Sequence, residues 1–272
     1  MGTKLKLGLI QMDCAFGDKQ ANLEKAAHAV RDAVLQGAGM ICLPECFNIG
    51  YSALGIQKMT EWAEPLDGNT VIRMRELAKE LKVYLIAPLL LTVGPGICEN
   101  SAVLINEDGS LAGCYSKTHT IGDEKIFFKR GCRYPVFETK YGKIGLLICY
   151  DMAFPEPARL LALQNVQLIL FPSAWRDRLN YRLMWENNLI SRALDNVIFT
   201  AGINRAGVSD GVRFSGETMI VDPRGSILQK AASGETILIQ EIDFDEITEE
   251  RRVNLAMIDR HPQDYAALAG LS

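Results

Sequence analysis

Short apolar segments alternate with amphipathic helical ones in two runs, one on each side of a set of hairpin signals, and this alternation most narrows the folds open to the chain. In the first run the residue pattern predicts a strand over 4–12. A helix capped by Asp18 follows to about residue 36, with Leu23, Ala26, Ala27, Val30 and Val34 on one face, and Gly37 and Gly39 end it. MICLPE reads as a short buried strand broken by Pro44, then a helix over 70–81 capped by Asn69, then a strand over 83–91. Segments 100–105 and 111–116 form a hairpin across Asn106-Glu107-Asp108-Gly109. The second run has strands over 143–148, 167–171 and 197–203 with helices over 153–163 and 181–195 between them. Segments 218–221 and 226–229 flank the turn Asp222-Pro223-Arg224-Gly225. A last strand over 236–242 and a helix near 246–252 lead into the tail. No linker or repeat interrupts this order, so 1–272 is read as one α/β domain with layered sheets and helices.

Bulk properties exclude several classes. The chain has 272 residues, 48% hydrophobic and 23% charged, which is enough for a large core. A formal net charge of −4, with no run of Lys or Arg, gives no electrostatic footprint for nucleic acid. No apolar stretch approaches the roughly 18–20 residues that span a bilayer. The opening MGTKLKLGLIQMD lacks the features of a secretory signal, and Lys6 breaks the myristoylation pattern, so a cytoplasmic location is expected. Seven cysteines, an odd number with no CxxC pair, argue for free thiols. Three scattered histidines offer no metal-ligand spacing, and no cofactor is expected.

Three segments each place a reactive side chain just after an apolar strand: LPECF with Glu45, CYSKTH with Lys117 and GLLICYD with Cys149. Ligand sites in layered α/β folds gather at the carboxyl ends of strands. Cys149 follows GLLI and precedes YDMAFPEPAR, a strand–turn–helix setting that resembles a nucleophile elbow. There the positive end of a helix would favour thiolate. Taken singly, Glu45 reads equally as a structural ion pair or cap, and Lys117 as a solvated side chain. Together they supply a thiol nucleophile, a carboxylate to accept its proton and a fixed cation for the developing oxyanion.

LPECF, YSKTH and GLLICYDMAFPEPAR, in this order, resemble the three signatures of the nitrilase superfamily of carbon–nitrogen hydrolases. The resemblance extends from GLIQMD near the start to DRHPQDY near the end. It implies a four-layer αββα sandwich and a Glu–Lys–Cys triad: Glu45 as general base, Lys117 as cationic stabiliser, Cys149 as nucleophile. The stretch GDEKIFFKRG is similar to the element that carries a second family glutamate, which puts on Glu124 the role of orienting the amide or holding Lys117. The oxyanion hole would use Lys117 and the backbone N–H of Tyr150. The resemblance also implies a homodimer or larger assembly through helices near the nucleophile, with the tail from about residue 253 in oligomer contacts. Ser116 stands where the family often has Arg, Thr120 and Ile121 where it often has Leu and an aromatic, and Lys129-Arg130 where Pro often precedes Gly131.

Around the expected pocket, Trp175 is a candidate wall for the acyl group and Arg176 a candidate reader of a substrate carboxylate, as is Arg205. Tyr51, Phe47 and Asn204 follow or end neighbouring segments. His119 is read as a local hydrogen-bond partner. The expected reaction is hydrolysis of a small linear amide through a Cys thioester with release of ammonia. An N-carbamoyl substrate is the alternative, and a nitrile is less favoured because Tyr150 and Asp151 follow the cysteine. A catalytically idle binding module on the same fold is the contrasting class, opposed by the intact triad.

Overall fold

The structure is a computed structural model and describes residues 4–269. Along the chain the strands are β1 (Lys4–Gln11), β2 (Met40–Cys42), β3 (Tyr84–Gly94), β4 (Ile97–Ile105), β5 (Leu111–Ser116), β6 (Val136–Thr139) and β7 (Gly142–Leu146). They continue with β8 (Leu168–Ser173), β9 (Phe199–Asn204), β10 (Val208–Ser209), β11 (Val212–Arg213), β12 (Met219–Val221), β13 (Ile227–Lys230) and β14 (Thr236–Asp243). The helices are α1 (Lys19–Leu35), α2 (Ile56–Thr60), α3 (Asn69–Leu81), α4 (Glu124–Phe127), α5 (Pro155–Ala162), α6 (Leu179–Asn196) and α7 (Asp245–Glu250).

Two six-stranded sheets carry the fold, ordered β14-β1-β2-β3-β4-β5 and β13-β12-β9-β8-β7-β6, with β10 and β11 as a separate small hairpin. Inward-facing Leu5, Leu7, Leu9, Ile86 and Leu104 of the first sheet share one apolar core with Ile144, Leu146, Leu168, Leu170 and Phe199 of the second. The other face of the first sheet, with Ile41, Leu85, Val103 and Ile105, packs on Leu23, Ala26 and Val30 of α1 and on Val71, Met74 and Ala78 of α3. On the second sheet, α6 lies so close to β9 that a Cβ on Gly202 would come within 2.5 Å of the Trp185 ring. The expected four-layer αββα sandwich is present, with α1 and α3 outside one sheet and α5 and α6 outside the other.

Most elements lie within a few residues of their predicted positions, and the departures have local causes. Asp18 caps α1 as expected, its Oδ1 accepting from the Ala21 N–H at 3.1 Å. Asn69, expected to cap α3, is its first helical residue instead. The cap comes from Glu64, whose Oε2 accepts from the Thr70 N–H at 2.9 Å while Lys19 holds its other oxygen at 2.6 Å. The 117–134 loop contains α4, a single turn, and β6 adds an edge strand that residue pattern did not predict. The helix after Cys149 starts only at Pro155, because residues Cys149–Ala153 form a 3₁₀ turn. Among the described residues no helix is long and apolar enough to cross a membrane.

Candidate active site

Strand direction brings the three predicted groups to one end of the sandwich. β2 runs parallel to β3, and β5 runs the same way because two antiparallel pairings separate it from β3. Glu45 and Lys117 therefore leave the first sheet on the same side, each just past the end of its strand. In the second sheet β7 and β8 are parallel, and Cys149 lies just past β7. Both Cys46 and Cys149 have left-handed backbones, with φ of 52° and 49°. Such a conformation costs a non-glycine residue about 1–3 kcal/mol and persists where its surroundings over-determine it. It turns the chain sharply at each strand end and aims Glu45 and the Cys149 sulfur at a common centre.

The ionised groups form a bonded cluster. Lys117 Nζ donates to Glu45 Oε1 at 3.0 Å and to Glu124 Oε1 at 2.9 Å, all three side chains being buried. Glu45 also accepts from Asn100 Nδ2 at 2.7 Å and from the Ala174 N–H at 2.8 Å. Glu124 accepts from the Tyr51 hydroxyl at 2.9 Å and from the Ile121 N–H at 3.1 Å. Each carboxylate is thus held by three or more donors, as buried charge requires.

The electrostatics follow from burial against charge. Burial alone would push the Lys117 ammonium down, but Glu124 and Glu45 prevail and hold it well above the usual lysine range, so it stays a cation. Burial raises Glu124 above the ordinary carboxylate value; Lys117 opposes this and Glu45 adds to it. The Cys149 thiol is pushed well above its usual value by burial and then by Glu45, against the pull of Lys117 and of the Ala174 N–H. The expected help from the α5 terminus is not there, since α5 begins six residues on, and burial and Glu45 both oppose ionisation of the Cys149 thiol. Attack from it requires a base to take the proton as the bond forms.

A cavity of about 210 Å³ opens onto Cys149. It is lined by Tyr51, Tyr150, Ala174, Trp175 and Arg176 of the sequence candidates and their neighbours, together with Ile121, Tyr181 and Met184. Cys149 keeps 8% of its surface exposed there. Among the described residues Arg176 makes no ion pair, whereas Arg182, on the first turns of α6, is tied to Asp177 at 2.7 Å.

Three candidates lie elsewhere than expected. Asn204 is fully buried and is not among the residues lining the Cys149 cavity. Its Oδ1 accepts from the Trp175 N–H at 2.7 Å and its Nδ2 donates to the Trp175 carbonyl at 3.1 Å, so it fixes the wall instead of meeting a ligand. Arg205 is fully buried beneath Phe214 and bonded to Asp13 and to the carbonyls of Cys14 and Tyr51, which removes it as a carboxylate reader. Phe47 is packed in the core between the first sheet and α1. Sequence reasoning missed Asn100, although a polar pair inside the apolar ENSAVLI was a visible signal, and it missed the contacts of Asp151. Among the described residues no group of three or more His, Cys, Asp or Glu side chains is placed to hold a metal ion.

Comparison with known proteins gives the family of this fold. The carbon-nitrogen hydrolase family model matches residues 6–252. The chain is 34% identical to the omega-amidase NIT2 of Mus musculus over 91% of each sequence. Its structure superposes with a TM-score of 0.90 on a carbon-nitrogen hydrolase from Helicobacter pylori G27, at 27% identity and covering 98% of both chains. It also superposes on an amidase from Nesterenkonia sp. AN1, solved with acrylamide as a form carrying Gln for Glu and Ala for Cys. That match has a TM-score of 0.82 and 28% identity and covers 93% of this chain and 96% of that one. The Glu-to-Gln form of the same amidase carries the acetamide moiety of fluoroacetamide on its active-site cysteine. A family model spanning nearly the whole chain, on a sandwich whose strand ends gather a glutamate, a lysine and a cysteine, establishes that this protein belongs to the carbon–nitrogen hydrolases, on the amidase-like side of the nitrilase superfamily.

Proposed function

We propose that the protein hydrolyses a small linear amide bearing an anionic group at its far end, through a thioester on Cys149. The observation that carries the reading is the bonded cluster of Glu45, Lys117 and Glu124 beside Cys149, which lines a cavity. As the Cys149 sulfur bonds to the amide carbon, its proton passes to Glu45. The oxyanion is held by the Lys117 ammonium and the Tyr150 N–H. Collapse of the tetrahedral species breaks the carbon–nitrogen bond, and the proton on Glu45 leaves with the amine as ammonia. Water then attacks the thioester with Glu45 again as base, which releases the acid and restores the thiol. Glu124 keeps Lys117 in line and accepts from the amide N–H. In support, the glutamate and cysteine altered in the Nesterenkonia amidase are separated in sequence by the same interval as Glu45 and Cys149.

The anionic end is inferred from Arg176. The cavity is otherwise mainly apolar and aromatic, and a guanidinium without an ion-pair partner among the described residues is suited to a carboxylate. The similarity to omega-amidases is consistent with a monoamide of a dicarboxylic acid. The cavity is small beside the roughly 300–1,000 Å³ of drug-sized sites, which favours a short substrate. The exposed apolar side chains Leu160 of α5, Leu163 just after it, Leu194 of α6, and Val253 and Ile258 of the tail suit a second copy of the chain covering this face.

The test is an ammonia-release screen over aliphatic amides, ω-amides with a free carboxylate and N-carbamoyl compounds. Cys149→Ala is expected to fold and to release none, and Glu45→Gln to slow turnover by about 10²–10⁴-fold. Undiminished release by Cys149→Ala would overturn the reading.

A further inference from the structure

We infer that Asp151 is a positioning residue that fixes Cys149 against Lys117. This rests on the reading above that those two side chains meet the substrate. Lys117 and Cys149 leave different sheets, and among the described residues no backbone hydrogen bond joins the segment at Lys117 to the turn at Cys149. Their spacing must be held by side chains. On one flank Glu45 crosses to the Ala174 N–H. On the other flank, Asp151 makes the crossing.

The Asp151 carboxylate is fully buried and accepts five hydrogen bonds. Its Oδ1 accepts from Thr118 Oγ1 at 2.9 Å, from the His119 N–H at 2.9 Å and from His119 Nδ1 at 2.8 Å. Its Oδ2 accepts from the Tyr115 hydroxyl at 2.7 Å and from the Ile148 N–H at 2.9 Å. Tyr115, Thr118 and His119 surround Lys117 in sequence; Ile148 precedes Cys149 and Asp151 follows it by two. One carboxylate thus grips the lysine segment with four bonds and, with the fifth, closes the turn around the left-handed Cys149. Because Nδ1 of His119 faces this carboxylate, it carries a proton. The ring also stacks on Phe154 at 3.9 Å, which meets the ring of Tyr150, a wall of the cavity, edge-on at 5.3 Å. The His119 ring is not among the groups lining that cavity, so its part is to hold Asp151 and not to exchange protons with substrate.

A displacement of about 1 Å between reacting groups can cost about 10²-fold in rate. Asp151→Asn keeps the shape but puts an amide N–H₂ against donors. It is expected to keep its fold by circular dichroism and to lose about 10²-fold in kcat per alkylatable Cys149, with KM changed by less than about threefold. The rate of Cys149 alkylation by iodoacetamide, calibrated on the exposed Cys132, should fall as well. His119→Ala should lose about tenfold in kcat, and His119→Asn, whose amide N–H can replace Nδ1–H, should recover most of it. These two variants and Tyr115→Phe carry the test if Asp151→Asn does not fold. Wild-type kcat per Cys149 in folded Asp151→Asn, or no recovery in His119→Asn relative to His119→Ala, would overturn the assignment. Loss of activity in Cys149→Ala is measured separately, so failure of the clamp and failure of the nucleophile are told apart.

Discussion

At the scale of single residues, what decides the chemistry is which charged groups are already satisfied. Lys117 is held between two carboxylates, Arg205 is saturated by its neighbours, and Arg176 lacks an ion pair among the described residues. Arg176→Gln should therefore raise KM for a carboxylate-bearing amide by roughly 10–100-fold, in keeping with about 1.5–3 kcal/mol for a charge-assisted bond, and should barely change KM for a neutral amide. Steady-state kinetics on a matched pair of substrates checks this; equal effects on both would remove the carboxylate. Burial, partly opposed by Lys117, raises Glu124, so it takes up a proton at higher pH than a free glutamate. Protonation removes an acceptor from Lys117. Activity should fall as pH drops through that raised value, placing the acid limb of kcat/KM above the ordinary carboxylate pKa of about 4.3. Glu124→Gln should lower kcat and move the residual limb to lower pH.

Glu45, Lys117 and Cys149 were legible only as a set, because three ordered motifs put a carboxylate, an ammonium and a thiol just past strand ends; taken singly, Lys117 follows the half-exposed strand LAGCYS and a thiol is easily buried as a small hydrophobe. Arg205 was not separable from Arg176, because both follow strands, and only tertiary contacts reveal which one is saturated. Asp151 was passed over because its five hydrogen bonds come from four residues, at positions 115, 118, 119 and 148, which no local pattern links.

Among the elements, periodicity located α1, α3 and α6 well because each has one apolar stripe facing a sheet. It failed for β6, a four-residue edge strand, and for α4, a single turn within the 117–134 loop, both being too short for a period to register. The cap of α3 failed for another reason: the helix starts at Asn69 itself, and Glu64 reaches the Thr70 N–H group from six residues upstream. Glu64→Ala should destabilise the protein by about 1 kcal/mol as a lost cap, and Asn69→Ala by much less. Chemical denaturation of both variants checks the order. The contact between α6 and β9 admits no side chain at Gly202. Overpacking costs of about 1–3 kcal/mol make Gly202→Ala destabilising although alanine suits a strand no worse than glycine does.

For the whole molecule, the sandwich sets two sheets face to face so that strand ends from both reach one cavity. The site's precision then depends on contacts between sheets, through Glu45 to Ala174 and through Asp151 to the lysine segment. The exposed apolar face of α5, α6 and the tail lies on the outer layer. If a second copy covers it, sedimentation should give at least a dimer, and Leu160→Glu with Leu194→Glu should shift it toward monomer.

Trapping an acyl group on Cys149 decides whether hydrolysis is covalent. Wild-type and Glu45→Gln proteins are mixed with an amide substrate, quenched in acid, digested and examined by peptide mass spectrometry. The peptide containing Cys149 should gain the mass of the acyl group without the ammonia, and no other cysteine peptide should. An acyl group on another residue, or steady turnover with the Cys149 peptide unmodified under every quench time, would contradict a thioester on Cys149.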